Sequence, residues 1–175
     1  MMRVNLVFED ITRMRTDAIV NAANPELTPG GGVCGAIHAA AGPELARACA
    51  QWVRHRGPVA PGSSAITPGF GLPARFVIHT VGPVWRGGTA REAELLGEAY
   101  RSAMFLAEEH ALTSIAFPSI STGIYGYPLS QAAPIALRSV TDALEHARSL
   151  REVTFAFVEA ETYAAYTRAL GDDDA

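Results

Sequence analysis

Short apolar runs alternate with longer stretches of helical periodicity along the whole chain, and this alternation constrains the fold more than any single motif. Runs rich in Val, Ile and Phe over 3–8, 18–21, 64–68, 75–81, 114–118 and 152–158 read as strands. Between them the periodicity predicts helices over 35–41, 44–56, 90–111, 130–148 and 161–170. Glu44, Ala48 and Trp52 fall at helical spacing, as do Leu95, Tyr100 and Met104. Gly42-Pro43 and Gly57-Pro58 punctuate helix ends. Strands that alternate with helices imply a largely parallel sheet covered on both faces. Ligands of such sheets sit outside the carboxyl ends of the strands. Loops that follow a strand and precede a helix are therefore the candidate sites.

Two loops fit that description. The first runs from Asn21 through Asn24-Pro25 to Gly30-Gly31-Gly32-Val33-Cys34-Gly35, where a helix is expected to open. Successive glycines leave the backbone N–H groups open to a ligand, and a helix N-terminus beyond them favours an anion. A flexible surface loop is the plain alternative. The second runs Ser119-Ile120-Ser121-Thr122-Gly123-Ile124-Tyr125-Gly126-Tyr127-Pro128 and again leads into a helix. Neither loop carries the Gly-Lys-Ser/Thr of a P-loop or a dinucleotide-binding Gly-x-Gly-x-x-Gly. Two opposed cradles suit a stably bound diphosphate better than phosphoryl transfer. Tyr125 either covers a sugar ring or packs in the core.

The rest of the composition narrows the field. The chain has 175 residues, 49% hydrophobic and 18% charged, which fits one globular domain and excludes a disordered chain. That domain is expected over 1–171, with a disordered acidic tail over 172–175. The net charge is -4, the chain has no lysine, and the arginines are scattered. This argues against nucleic acid as the partner. No apolar run is long enough to span a bilayer, so no membrane association is expected. Cys34 and Cys49 are too few for a disulfide framework, and a reducing cytoplasmic setting follows. No cluster suggests a metal or other cofactor.

Read together, the motifs resemble those of the macrodomain family, MacroD type, and within it the bacterial O-acetyl-ADP-ribose deacetylases. The resemblance is carried by Glu9-Asp10-Ile11-Thr12, by Asp17 through Asn24, by Gly30 through His38, by Val77-Ile78-His79-Thr80-Val81-Gly82-Pro83-Val84-Trp85 and by Ile120 through Pro128. It spans roughly 3–170, nearly the whole chain. It implies a three-layer α/β/α sandwich with a mixed, largely parallel central sheet. It also implies ADP-ribose as ligand, with O-acetyl-ADP-ribose and mono-ADP-ribosylated proteins as substrates of a hydrolase. A non-catalytic reader or scavenger of ADP-ribose is the alternative.

At matched positions the resemblance implies roles. Asp10 would accept from the adenine amino group and the Ile11 backbone would contact the same ring. Asp10 also reads as a turn cap before Thr12. Asn24 would orient the distal ribose in catalysis, or serve only an Asx turn before Pro25. Gly31, Gly32, Val33 and Cys34 would form one wall of the diphosphate and ribose site. Ser121, Thr122, Gly123, Ile124 and Tyr125 would form the other.

Three positions depart from the family pattern. Cys34 stands where the family carries an Asp thought to position or activate the attacking water, a general-base role worth about 10²–10⁴-fold. Glu9 replaces a glycine, and Val158 an aromatic that stacks on adenine. Cys34 and His38, four apart, would share a helix face and could pair as a nucleophile. Otherwise Cys34 is a pocket wall and His38 a packed, satisfied histidine. His79, in an apolar strand, reads as structural. Glu92, Glu94, Glu98, Glu108 and Glu109 are expected to face solvent.

Overall fold

A computed structural model describes residues 3–173. Six strands form one sheet: β1 Arg3–Phe8, β2 Ala18–Ala22, β3 Ser64–Pro68, β4 Phe76–Thr80, β5 Ser114–Phe117 and β6 Glu152–Phe157. The spatial order is β1-β6-β5-β2-β4-β3. Every neighbouring pair is parallel except β3 with β4, which closes one edge antiparallel. The sheet is thus mixed and largely parallel, as expected.

Alternation along the strands fills two cores. Ala18, Val20, Ile78, Ile115, Phe117, Val153, Phe155 and Phe157 point to one face. There they meet α3 Glu92–Glu109, α4 Leu129–Glu145 and α5 Ala160–Asp173. Ile19, Val77, Ala116 and Ala156 point to the other face, under α1 Gly32–Ala41 and α2 Pro43–Arg56. Helices on both faces make the three-layer α/β/α sandwich. Packing both faces is why the central strands read as continuous apolar runs rather than alternating ones.

Two helix boundaries and one buried stripe differ from expectation. The helix expected from Gly35 opens at Gly32, because Gly31 takes the extended N-cap conformation and Gly32 adopts φ +57°. Gly35 lies inside the first turn, where a Cβ would collide with the Gly30 carbonyl oxygen. On α2 the buried stripe is Leu45 and Cys49, one position along from Glu44, Ala48 and Trp52. The helix α5 runs on to Asp173, so Asp172 and Asp173 are helical rather than part of a disordered tail. Asp174 and Ala175, the rest of that expected tail, lie outside the described residues. Among the described residues no helix is long and apolar enough to cross a membrane.

Candidate functional site

The carboxyl ends of the five parallel strands share one edge of the sheet, so the loops after them converge. Asp10 and Ile11 follow β1, the triple-glycine loop follows β2, residues 81–91 follow β4, the second loop follows β5, and Val158 follows β6. Three inter-strand steps separate β1 from β2, about 14 Å. A ligand that touched both Asp10 and Gly31 would be elongated.

At the β1 end, Asp10 caps a short 3-10 turn over Ile11–Arg13. Its Oδ1 accepts from the Thr12 N–H at 2.9 Å and the Thr12 hydroxyl at 2.7 Å. The capping role read from sequence is therefore real. It uses one carboxylate oxygen, and among the described residues Oδ2 accepts no hydrogen bond. Ile11 is buried, while Val158 is exposed at the end of β6.

The first loop is braced by Asn24. Its Nδ2 donates to the Thr28 carbonyl at 2.9 Å, and its Oδ1 accepts from the Thr28 N–H at 3.1 Å and the Thr28 hydroxyl at 3.2 Å. Both lone pairs of Oδ1 are occupied, which leaves one amide N–H for a ligand. A Cβ placed on Gly30 would lie 3.9 Å from Cys34 Sγ and 4.0 Å from Asn24 Nδ2. Asn24, Gly30 and Cys34 therefore meet at one point. The N–H groups of Gly32, Val33 and Cys34 open α1 and have no partner within the helix, an arrangement that favours an anion.

Cys34 is 5% exposed. Its thiol lies 3.7 Å from the Thr28 carbonyl, to which it donates, and 3.7 Å from Asn21 Nδ2, from which it accepts. No hydrogen bond joins it to His38. Both ring nitrogens of His38 are buried without a partner among the described residues, so the expected satisfied histidine is not seen either. Burial lowers its pKa, and nitrogens sealed from solvent cannot take a proton from a pocket water. The Cys/His nucleophile is set aside on these two observations.

Beneath Cys34 lies a polar cluster that sequence reading did not assemble. Asn21 Nδ2 also donates to His79 Nδ1 at 3.1 Å, which leaves His79 Nε2 to donate to the Thr67 hydroxyl at 2.9 Å. Cys49 Sγ sits 3.6 Å from the same Nε2. Burial drives the His79 pKa down to about 3 and, with Cys34 nearby, drives the Cys49 thiol up to about 12. His79 is thus the structural histidine expected. The usable signal for Asn21 was one amide in an otherwise apolar strand.

The second loop faces the first. A Cβ on Gly31 would lie 3.7 Å from Ile124 Cδ1, and Ile124 is 89% exposed. Ser121 holds φ +67°, a left-handed conformation that costs a serine about 1–2 kcal/mol. Its hydroxyl is buried without a partner among the described residues. Thr122 donates to Ser119 Oγ at 2.8 Å, and Gly123 is exposed. Tyr125 is half-buried, so it is not the core tyrosine of the plain reading. Burial and then the nearness of Cys34 raise its phenol pKa.

Residues 82–91 press on this loop from the β4 side. A Cβ on Gly82 would overlap the Ser121 hydroxyl, and the Trp85 N–H donates to the Tyr125 carbonyl at 2.8 Å. The Trp85 ring packs on Tyr127 at 4.6 Å. Glu92, expected in solvent, is buried and accepts from the N–H groups of Arg86, Gly88 and Ala90. Glu108 likewise turns inward to the N–H groups of Arg148, Ser149 and Leu150. Those six N–H groups hold Glu92 and Glu108 against connecting segments, while Glu94 and Glu109 are exposed as expected.

Comparison with known proteins converges on one family. The Macro domain model matches residues 20–136. An O-acetyl-ADP-ribose deacetylase of Salmonella gallinarum is 52% identical over 176 residues, covering 99% of this chain and 98% of that protein. One from Cronobacter turicensis is 49% identical over 172 residues, covering 98% of each. The Oceanobacillus iheyensis macrodomain with ADP superposes with a TM-score of 0.91 at 44% identity, covering 97% of this chain and 90% of that one. The Trypanosoma brucei macrodomain in complex with ADP-ribose superposes with a TM-score of 0.87 at 41% identity, covering 96% of this chain and 69% of that one. With the sandwich, the converging loops and these relatives in agreement, the chain belongs to the Macro domain family.

Proposed function

We propose that the chain binds ADP-ribose along the carboxyl edge of its sheet and hydrolyses the ester of O-acetyl-ADP-ribose. The observation that carries this reading is the facing of the two loops, Gly31 against Ile124, with Asn24 and Cys34 meeting at Gly30. The names of the relatives at about half identity support the ligand and the reaction. Asp10 Oδ2 receives the adenine amino group, the N–H groups opening α1 and those of Ser121–Tyr125 hold the diphosphate, and Tyr125 covers the distal ribose. The remaining Asn24 N–H orients that ribose.

Cys34 sets the chemistry apart from an acid-assisted hydrolysis. A thiol that donates to Thr28 does not accept a proton from water, so the proton passes to a substrate phosphate oxygen and catalysis rests on positioning. The same site would cleave ADP-ribose from acidic protein side chains, because both bonds are esters on the distal ribose. An acidic, lysine-free chain with two free cysteines suits the cytoplasm.

The Cys34 geometry also favours a second reading, a reader of ADP-ribose without turnover. Mass spectrometry of O-acetyl-ADP-ribose and of a mono-ADP-ribosylated acidic peptide, incubated with the protein, separates the two. Slow ester loss supports the hydrolase. Tight binding with no ester loss supports the reader.

A further inference from the structure

Two hydroxyls in the apolar core lead to the second loop. Tyr100 on α3 and Tyr166 on α5 are fully buried, with their oxygens 3.2 Å apart. Tyr166 donates to Ser119 Oγ at 3.0 Å, and the Thr122 hydroxyl donates to that same oxygen at 2.8 Å. Tyr100 accepts from the Ile120 N–H at 2.9 Å. A phenol has one proton, so with the Tyr166 proton on Ser119 the Tyr100 proton falls between the Tyr166 oxygen and the Pro118 carbonyl oxygen, 3.5 Å away. The chain runs from α3 and α5 onto the loop after β5. It ties Ser119, Ile120 and Thr122, the residues on both sides of Ser121, to two different helices.

The rings alone would not need those hydroxyls. Tyr100 packs on Phe117 at 5.3 Å and Tyr166 on Phe157 at 4.5 Å, contacts a phenylalanine would keep. Ser121, by contrast, sits in a backbone conformation that a free serine leaves. We propose that Tyr100 and Tyr166 are positioning residues that hold Ser119–Thr122 in the diphosphate-binding conformation before the ligand arrives. This role rests on the ADP-ribose reading of the cleft. Burial raises the Tyr166 pKa to about 12 and Tyr100 well above its usual value, so both remain protonated donors throughout the neutral range.

The test compares Tyr166→Phe and Tyr100→Phe with the parent, titrating ADP-ribose, ADP and adenosine and recording melts. If the competent loop falls to about a tenth of the population, the Kd of ADP-ribose and ADP rises about tenfold. The Kd of adenosine stays unchanged, because its contacts lie at Asp10. A purely structural role would lower Tm and leave all three Kd values alone. An unchanged ADP-ribose Kd in a folded variant overturns the proposal, as does an equal loss for adenosine. Ser119→Ala cuts the same chain at its half-buried end, and must show the same split if either tyrosine variant fails to fold. A parent that does not bind ADP-ribose overturns the cleft assignment and this role with it. A parent that binds alongside variants that bind equally well overturns this role alone.

Discussion

The Cys34 thiol donates to the Thr28 carbonyl oxygen across 3.7 Å, on the loop that Asn24 braces. A carboxylate in its place would be an acceptor facing an acceptor in a site 5% exposed. Cys34→Asp is therefore expected to lose about 1–3 kcal/mol of stability. The new base should still raise ester hydrolysis by tenfold or more, within the roughly 10²–10⁴-fold range of such groups. Turnover and a denaturant melt on the same preparation check both halves. A thiol hydrogen-bonded in this way should also react slowly with thiol reagents near neutral pH.

Asn24 has two tasks that substitutions can separate. Asn24→Ala removes three hydrogen bonds to Thr28, at about 0.5–1.5 kcal/mol net for each. It should lower Tm and weaken ADP-ribose together. Asn24→Asp keeps the oxygen that accepts twice from Thr28 but loses the N–H given to the Thr28 carbonyl as well as the one left for the ligand, so it should lower Tm less than Asn24→Ala while weakening ADP-ribose as much. Calorimetry against thermal melts reads the difference.

Asp10 is expected to choose the base. Asn caps a helix as well as Asp, so Asp10→Asn should leave the turn at Ile11–Arg13 intact. A hydrogen bond to a charged acceptor contributes about 1.5–3 kcal/mol, so the parent should prefer ADP-ribose over its inosine counterpart by tenfold or more. The variant should lose or invert that preference, as competitive titration of the two ligands would show.

Acid stability should carry the mark of His79. Burial lowers its folded pKa from 6.5 to about 3, so the unfolded chain binds the extra proton first. Its contribution is full above pH 6.5 and is lost as pH falls towards 3, with a slope of about 1.4 kcal/mol per pH unit. Urea melts between pH 6.5 and 4 measure that slope. A flat profile would mean that His79 is already charged or solvated in the fold.

Much of this was legible in the sequence because strands and loops are local. Alternation gave the six strands to within a residue or two, and the two glycine loops stood at strand ends where a parallel sheet places ligands. What stayed hidden depends on contacts between distant segments. Nothing in the spacing of α3 distinguishes the buried Glu92 from the exposed Glu94, because the N–H groups that draw Glu92 inward come from the preceding turn. Tyr100 and Tyr166 sit at core positions of their helices, and only the meeting of α3, α5 and the loop after β5 makes their hydroxyls matter. His38 and Cys34 share a helix face by spacing, yet Cys34 bonds to Thr28 and Asn21 instead.

The most direct test is a calorimetric titration of the unmodified protein with ADP-ribose. Saturable binding at one site per chain is predicted, with about 2.7 kcal/mol of added stability when free ligand reaches 100-fold the Kd. No binding heat and no shift in the melt at millimolar ADP-ribose would contradict the account.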